Sequence, residues 1–311
     1  MNVLGFDTSN YTTSIAFYNG AEGKNCSRLL DVKQGELGLR QSDALFSHVS
    51  RLPELAQALG VTGPIDAIGV STRPRAVEGS YMPCFLAGVC QAKVMGSLLG
   101  VPVFEFSHQQ GHIAAACWGA ERMDLMEKPH LAWHLSGGTT ELLLVTPEGA
   151  YVHAEKIGGT TDLSAGQLID RTGKLLGLPF PSGKHLDSLS RESEGKEFFP
   201  VRTKDQCFSF SGIQNQVEAY YGKTGDRAAT ARFCLLSILY GVENATRQAL
   251  AQYPGLEVVF AGGVASNSLL RSRLSESVFC PPQYATDNAM GIALLTWRSL
   301  NHENHCSISN Q

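Results

Sequence analysis

The chain has 311 residues, 43% of them hydrophobic and 17% charged, so it exceeds one average domain and carries enough apolar material for a large core. Its formal net charge of −4 excludes a protein that grips nucleic acid through a general basic surplus; an RNA partner would need a local patch or another subunit. The 32 glycines cluster at turns between apolar runs, which suits an α/β protein with backbone loops facing a ligand.

The N-terminus opens directly into an apolar strand, Val3-Leu4-Gly5-Phe6, followed by a small polar turn, Thr12-Thr13, a second strand and Asn19-Gly20. This order predicts a β-hairpin over 3–20. Short buried strands are expected at 66–70 and 102–106, with a helix from Gly88 to Leu99 between them. Residues 131–149, LAWHLSGGTTELLLVTPEG, repeat the first hairpin's order of parts. The segment 229–252 has apolar residues at helical spacing and leads into a strand, 257–261, that runs into Gly262-Gly263. Two hairpin-led α/β units in tandem predict a duplicated fold with a cleft between lobes. The boundary falls near 120–130, giving lobes 1–128 and 129–311, with a last helix from about 287 able to pack back on the first lobe.

Eight cysteines, at 26, 84, 90, 117, 207, 234, 280 and 306, form no CxxC pair and mostly sit in apolar segments. They predict reduced thiols and a cytoplasmic protein. No basic leader precedes the first strand, and no apolar run approaches the ~18 residues of a membrane span.

Three motifs carry chemistry. His108 and His112 follow a strand end in SHQQGH, with Ser107 as an N-cap, and i,i+4 spacing puts both imidazoles on one helix face. That geometry suits one metal ion held by two nitrogens, and equally two cap-region histidines satisfied by backbone or water. A zincin protease needs Glu between the histidines as its base; Gln109-Gln110 excludes it. Ser136-Gly137-Gly138, at the second hairpin's tip, can cradle a phosphate or be a plain turn. Gly262-Gly263, after a buried strand, permits close approach to a base or ribose that Asn267 can hydrogen-bond, or is a strand–helix turn capped by Ser266 or Asn267.

The first hairpin, SHQQGH, HLSGGTTEL, AGQLIDRTGKLLGLPFPSG, FSFSG, FAGGVASNSLLRSRL and ATDNAMGIA occur in one order along nearly the whole chain. In this the chain resembles the TsaD family of tRNA threonylcarbamoyladenosine synthases, once catalogued as O-sialoglycoprotein endopeptidases. The resemblance implies the duplicated actin-like (ASKHA) α/β fold with a central cleft. It implies transfer of a threonylcarbamoyl group from its adenylate to the N6 amine of an adenine near the tRNA anticodon.

Carried over by position, His108, His112 and Asp287 are metal ligands, for iron or zinc. His134, Leu135, Ser136, Gly137 and Gly138 meet phosphate and the transferred group. Asp170, Gly183, Asp187 and Asn267 fall at ribose and adenine contacts, beside Gly262 and Gly263. The ligand is an adenine nucleotide or threonylcarbamoyl adenylate. The partners are tRNA and TsaB-like subunits, and no residue is assigned as catalytic.

The chain also departs from the family's pattern. Tyr11 and Thr12 stand where the family carries an Asp-Glu pair, Thr139 replaces a histidine, and Ser182-Gly183 replaces Gly-Gly. Arg73-Pro74-Arg75-Ala76-Val77-Glu78-Gly79-Ser80-Tyr81 replaces a glycine-rich loop. These departures leave open a nucleotide- and metal-binding paralogue that serves as a partner or regulator, or acts on another acceptor. A small-molecule kinase of the same superfold leaves the histidine pair unexplained.

Overall fold

The computed structural model describes residues 1–9, 11–31, 39–285 and 289–309, with side chains as far as 302. Two compact units divide the chain. One comprises Met1–Lys128, Thr146–Ala154 and Asp287–Gln311; the other comprises Pro129–Val145 and Glu155–Thr286.

The first unit is built on β1 (Val3–Asp7), β2 (Thr12–Tyr18), β3 (Gly23–Leu29), β4 (Ala67–Arg73) and β5 (Val103–Ser107), in the order β3-β2-β1-β4-β5. β1 pairs antiparallel with β2 and parallel with β4, so the predicted hairpin forms, with Phe6 opposite Ile15. Alternation along β1 sorts its side chains. Leu4 and Phe6 enter a core with residues of α1 (Gln41–Leu59) and α2 (Leu86–Leu99), while Val3 belongs to a second cluster on the other face. α3 (His108–Gly119) starts at once where β5 ends, because Ser107 accepts the N–H of Gln110 and the Gln110 side chain accepts the N–H of Ser107. The weakly patterned stretch after it holds a 3₁₀ turn, Met123–Glu127, that buries Leu125 and Met126.

The second sheet, most of it in the second unit, comprises β6 (His130–Leu135), β7 (Thr140–Glu148), β8 (Tyr151–Thr160), β9 (Cys207–Phe208), β10 (Val258–Ala261) and β11 (Val278–Phe279). Its order is β11-β10-β6-β7-β8-β9. The central strand β6 has an antiparallel neighbour, β7, on one side and a parallel one, β10, on the other. β1 stands in the same relation to β2 and β4, so the repeat read from the two hairpins extends to the whole strand order. α4 (Ala165–Leu175), α5 (Gly183–Ser190), α6 (Ser211–Thr224) and α7 (Arg227–Gln252) cover one face, and the short α8 (Ser268–Arg273) and α9 (Pro282–Ala285) follow β10 and β11. The core holds Leu131, Trp133 and Leu135 from alternate positions of β6. Trp133 is fully buried, and its Nε1–H donates to Thr246 Oγ1 of α7 at 2.8 Å, so its one polar atom is satisfied.

The last helix, α10 (Met290–Ser309), packs on β1, β4 and α3 within the first unit. The approach needs small residues: a Cβ on Gly291 would lie 1.8 Å from the Gly111 carbonyl oxygen of α3, and one on Gly5 would lie 2.6 Å from the Ala293 nitrogen. No described helix is long and apolar enough to cross a membrane.

Candidate functional site

In the first unit the carboxyl ends of β1, β4 and β5 meet. Asp7, the last residue of β1, is 1% exposed, yet its carboxylate is fully engaged. Oδ1 accepts from Ser71 Oγ at 2.7 Å and from the Ser9 N–H at 3.1 Å. Oδ2 lies 2.7 Å from His108 Nδ1. A carboxylate can only accept, so Nδ1 donates to it, and in the neutral imidazole that tautomer leaves the lone pair on His108 Nε2. That atom faces His112 Nε2 at 2.9 Å, with the two rings edge to face. Two nitrogens bound at ~2.1 Å to one tetrahedral ion lie about 3.4 Å apart, so the pair could share a metal after opening by about half an ångström. With an ion there, Asp7 would take the orienting part that a carboxylate plays behind a ligating histidine. Among the described residues no three side chains of His, Cys, Asp and Glu form a metal set. Asp287, the third ligand implied by the resemblance, lies outside the described residues.

Capping explains why the pair is aimed this way. The Ser107–Gln110 box fixes the first turn of α3, and Gln110 Nε2 also donates to the Val152 carbonyl at 2.8 Å. His112 is 5% exposed, more deeply set than a surface ligand. Tyr11 leads into β2 and Thr12 is buried in its ladder opposite Leu29. No carboxylate stands at either place.

In the second unit the tip between β6 and β7 is a tight turn. The Ser136 N–H donates to the Thr139 carbonyl at 2.8 Å, and the Thr139 N–H donates to Ser136 Oγ at 3.1 Å. Gly137 and Gly138 are exposed, and a Cβ on either would meet nothing within 4 Å. His134 sits on the face of β6 opposite Trp133, in register with Glu141 and Ala261. Leu135 leads into the tip, and its carbonyl oxygen would lie 2.2 Å from a Cβ on Gly262. With φ at 92°, Gly262 is in a backbone region that other residues rarely adopt. The structure therefore brings the Ser136 tip and the Gly262-Gly263 turn to neighbouring strand ends.

The remaining sequence-derived candidates form two further groups in this unit. Asp187 Oδ1 accepts from Asn267 Nδ2 at 2.7 Å and from the N–H and Oγ of Ser268 at 3.0 and 2.8 Å. Asn267 Oδ1 caps α8 by accepting from the Leu270 N–H at 3.0 Å. Asn267 is thus held at both ends of its amide, with one N–H left over. Asp170 on α4 accepts from the Ser182 N–H at 2.8 Å, beside Gly183. Burial pushes the Asp170 carboxyl above the ordinary range, against the pull of that N–H.

Sequence reasoning missed Asp7, Ser71 and Asp162. Asp7 was legible as a lone acid ending a buried strand, but its partner His108 is 101 residues away. Asp162 explains the FSFSG motif. It accepts from Ser209 Oγ at 2.5 Å, Ser211 Oγ at 2.6 Å, and the N–H groups of Phe210 and Leu163 at 2.9 and 2.6 Å. Partial burial raises its pKa, but these donors outweigh that and hold the carboxyl well below the usual range.

The profile of one family, TsaD: tRNA N6-adenosine threonylcarbamoyltransferase, matches residues 47–294. A tRNA N6-adenosine threonylcarbamoyltransferase of Streptococcus suis (strain 05ZYH33) is 34% identical over 251 residues, covering 74% of this chain and 72% of the relative. One of Streptococcus pneumoniae (strain Taiwan19F-14) is 31% identical over 333 residues, covering 97% and 93%. Among solved structures, full-length HypF in a phosphate- and nucleotide-bound form has a TM-score of 0.63 at 15% identity, covering 96% of this chain and 46% of HypF. The ROK hexokinase of Thermus thermophilus has a TM-score of 0.53 at 14% identity, covering 96% and 100%. At such identities these likenesses establish the fold alone, an actin-like ASKHA fold.

Proposed function

We propose, on the premise that this chain belongs to the TsaD family of tRNA N6-adenosine threonylcarbamoyltransferases, that it transfers a threonylcarbamoyl group to the N6 amine of a tRNA adenine. The donor is threonylcarbamoyl adenylate, and the product is tRNA threonylcarbamoyladenosine. The observation that carries the reading is the histidine pair, its Nε2 atoms 2.9 Å apart and His108 locked by buried Asp7. A small-molecule kinase has no use for it.

A divalent metal, iron or zinc, would be held by His108 and His112, with Asp287 as the third ligand that the resemblance implies. Such an ion would supply Lewis acidity there. The Gly137 and Gly138 N–H groups face phosphate or the carbonyl oxygen as charge develops. The turn at Gly262-Gly263, with the free N–H of Asn267, receives adenine, and the Asp187 carboxylate keeps Asn267 in place. The amine nitrogen attacks the carbamoyl carbon, the bond to the adenylate phosphate breaks, and AMP departs with that electron pair. The amine's proton leaves to the departing phosphate or to water. The net charge of −4 calls for a basic partner surface in docking tRNA, and a TsaB-like subunit is the partner class proposed.

One observation favours a second reading. With no carboxylate at Tyr11 and Thr12, the chain lacks the acid pair of its relatives, which suits a nucleotide- and metal-binding paralogue. A reconstituted assay decides between them. Threonylcarbamoyl adenylate and tRNA are supplied with and without a TsaB-like subunit, and nucleosides from the digested tRNA are identified by mass spectrometry. Modified adenosine supports the transferase. Tight adenylate binding with no modification in any mixture overturns it in favour of the paralogue.

A further inference from the structure

We infer that Ser164 and Gly166 are positioning residues, which aim the Gly138 N–H by fixing the Ser136–Gly138 tip against the first turn of α4. This role rests on the proposed reading of the tip as the element facing phosphate or the carbonyl oxygen. Two adjacent exposed glycines have no side chains to hold one orientation, and the Ser136–Thr139 bonds close the turn without touching the peptide between them, so a contact from outside is what fixes it.

Ser164 supplies it. Its hydroxyl donates to the Gly137 carbonyl at 2.7 Å and at the same time accepts the Gln167 N–H at 3.1 Å, so the proton's direction is settled. The Gly137–Gly138 peptide is trans, since among the described residues the only cis bond is Phe180-Pro181. In a trans peptide the C=O and N–H point opposite ways. Anchoring the Gly137 carbonyl on α4 therefore turns the Gly138 N–H outward. The other end of the tip is tied to the same turn: the Ala165 N–H donates to Thr140 Oγ1 at 2.8 Å, and that hydroxyl donates to the Thr139 carbonyl at 2.9 Å.

Gly166 makes the approach possible. A Cβ there would lie 2.4 Å from Gly137 Cα and 2.5 Å from the Ser136 carbonyl oxygen, both backbone atoms with no rotamer to yield. Any side chain at 166 must push the tip off the helix. Gln167 provides a control, because its side chain accepts the Ser164 N–H at 3.2 Å and completes the cap without meeting the tip.

The test is backbone amide NMR on the full-length, ligand-free protein, with steady-state transfer kinetics beside it. Ser164→Ala and Gly166→Ala should move the Gly138 amide resonance and lower kcat about tenfold or more, with KM within about twofold, because a misaimed donor loses transition-state stabilisation first. Ser164→Thr, which keeps the hydroxyl, should restore both. Gln167→Ala should lower the melting temperature while leaving the Gly138 resonance and kcat near the parent's. An unmoved Gly138 resonance in Ser164→Ala and Gly166→Ala overturns the role, as does an equal loss of kcat in Gln167→Ala. A parent that transfers nothing overturns the transferase reading separately, and the Gly138 resonance still decides this one.

Discussion

Replacing Asp7 by Asn changes one atom and should disable the histidine pair. Asn Oδ1 can still accept from Ser71 Oγ and the Ser9 N–H, so the joint between β1 and β4 survives. The other end of the side chain, an acceptor 2.7 Å from His108 Nδ1, becomes an NH₂ donor. Nδ1 must then accept, and the imidazole proton moves to Nε2, the atom that faces His112 at 2.9 Å. A protonated Nε2 cannot ligate a metal. Losing an orienting partner of a ligating histidine typically costs 10–100-fold in metal affinity, or about 1.4–2.7 kcal/mol, and forcing the wrong tautomer belongs at the upper end. The assay is competition for iron(II) or zinc against a chromogenic chelator at neutral pH, with the melting temperature measured alongside. A drop near a hundredfold with the fold retained is expected for Asp7→Asn, and no measurable site for His112→Ala. Full affinity in Asp7→Asn, together with its loss in His112→Ala, would show that Asp7 does not set the His108 tautomer.

Gly263→Val should block adenine nucleotides while leaving the fold cooperative, since Gly263 is exposed at the start of the turn after β10; calorimetry with AMP or ATP showing full affinity would remove the turn from the site. Gly262→Ala should destabilise by about 2 kcal/mol or more and lower the melting temperature by several degrees, because φ is 92° and the new Cβ would sit 2.2 Å from the Leu135 carbonyl oxygen. An unchanged transition would refute that close approach. The Asp162 carboxyl is depressed, so its stabilising effect is complete above the unfolded value near 3.8 and is lost as pH falls below it. Asp162→Asn should cost about 1 kcal/mol at pH 7, a figure reduced because the group is exposed, and the gap between parent and variant should begin to narrow only below 3.8 and keep shrinking as pH falls towards the depressed folded value. A gap that does not narrow at all as thermal melts are carried from pH 7 down to about 2 would mean that the carboxylate charge is not what Ser209 and Ser211 hold.

Local physics made much of this protein readable in one dimension. Apolar runs around small turns specified the hairpins of β1–β2 and β6–β7, because a short apolar segment bounded by turn residues suits a strand covered on both faces. Ser107 as an N-cap marked the start of α3, and i,i+4 spacing put His108 and His112 on one face of it. The repeated order of parts announced the duplication, and the family's motifs supplied the reaction. What the sequence could not carry was pairing between distant residues. Asp7 and His108 meet only because parallel pairing of β1, β4 and β5 brings three strand ends together across 101 positions of chain. Ser164 reaches the Gly137 carbonyl only because a glycine two residues later lets α4 lie against the tip. Asp162 meets the FSFSG hydroxyls only after β9 joins β8 at the sheet edge. Each of these joins is a hydrogen bond whose geometry depends on backbone placement to a fraction of an ångström. Residue type and spacing say which groups are able to bond, and packing decides which of them do.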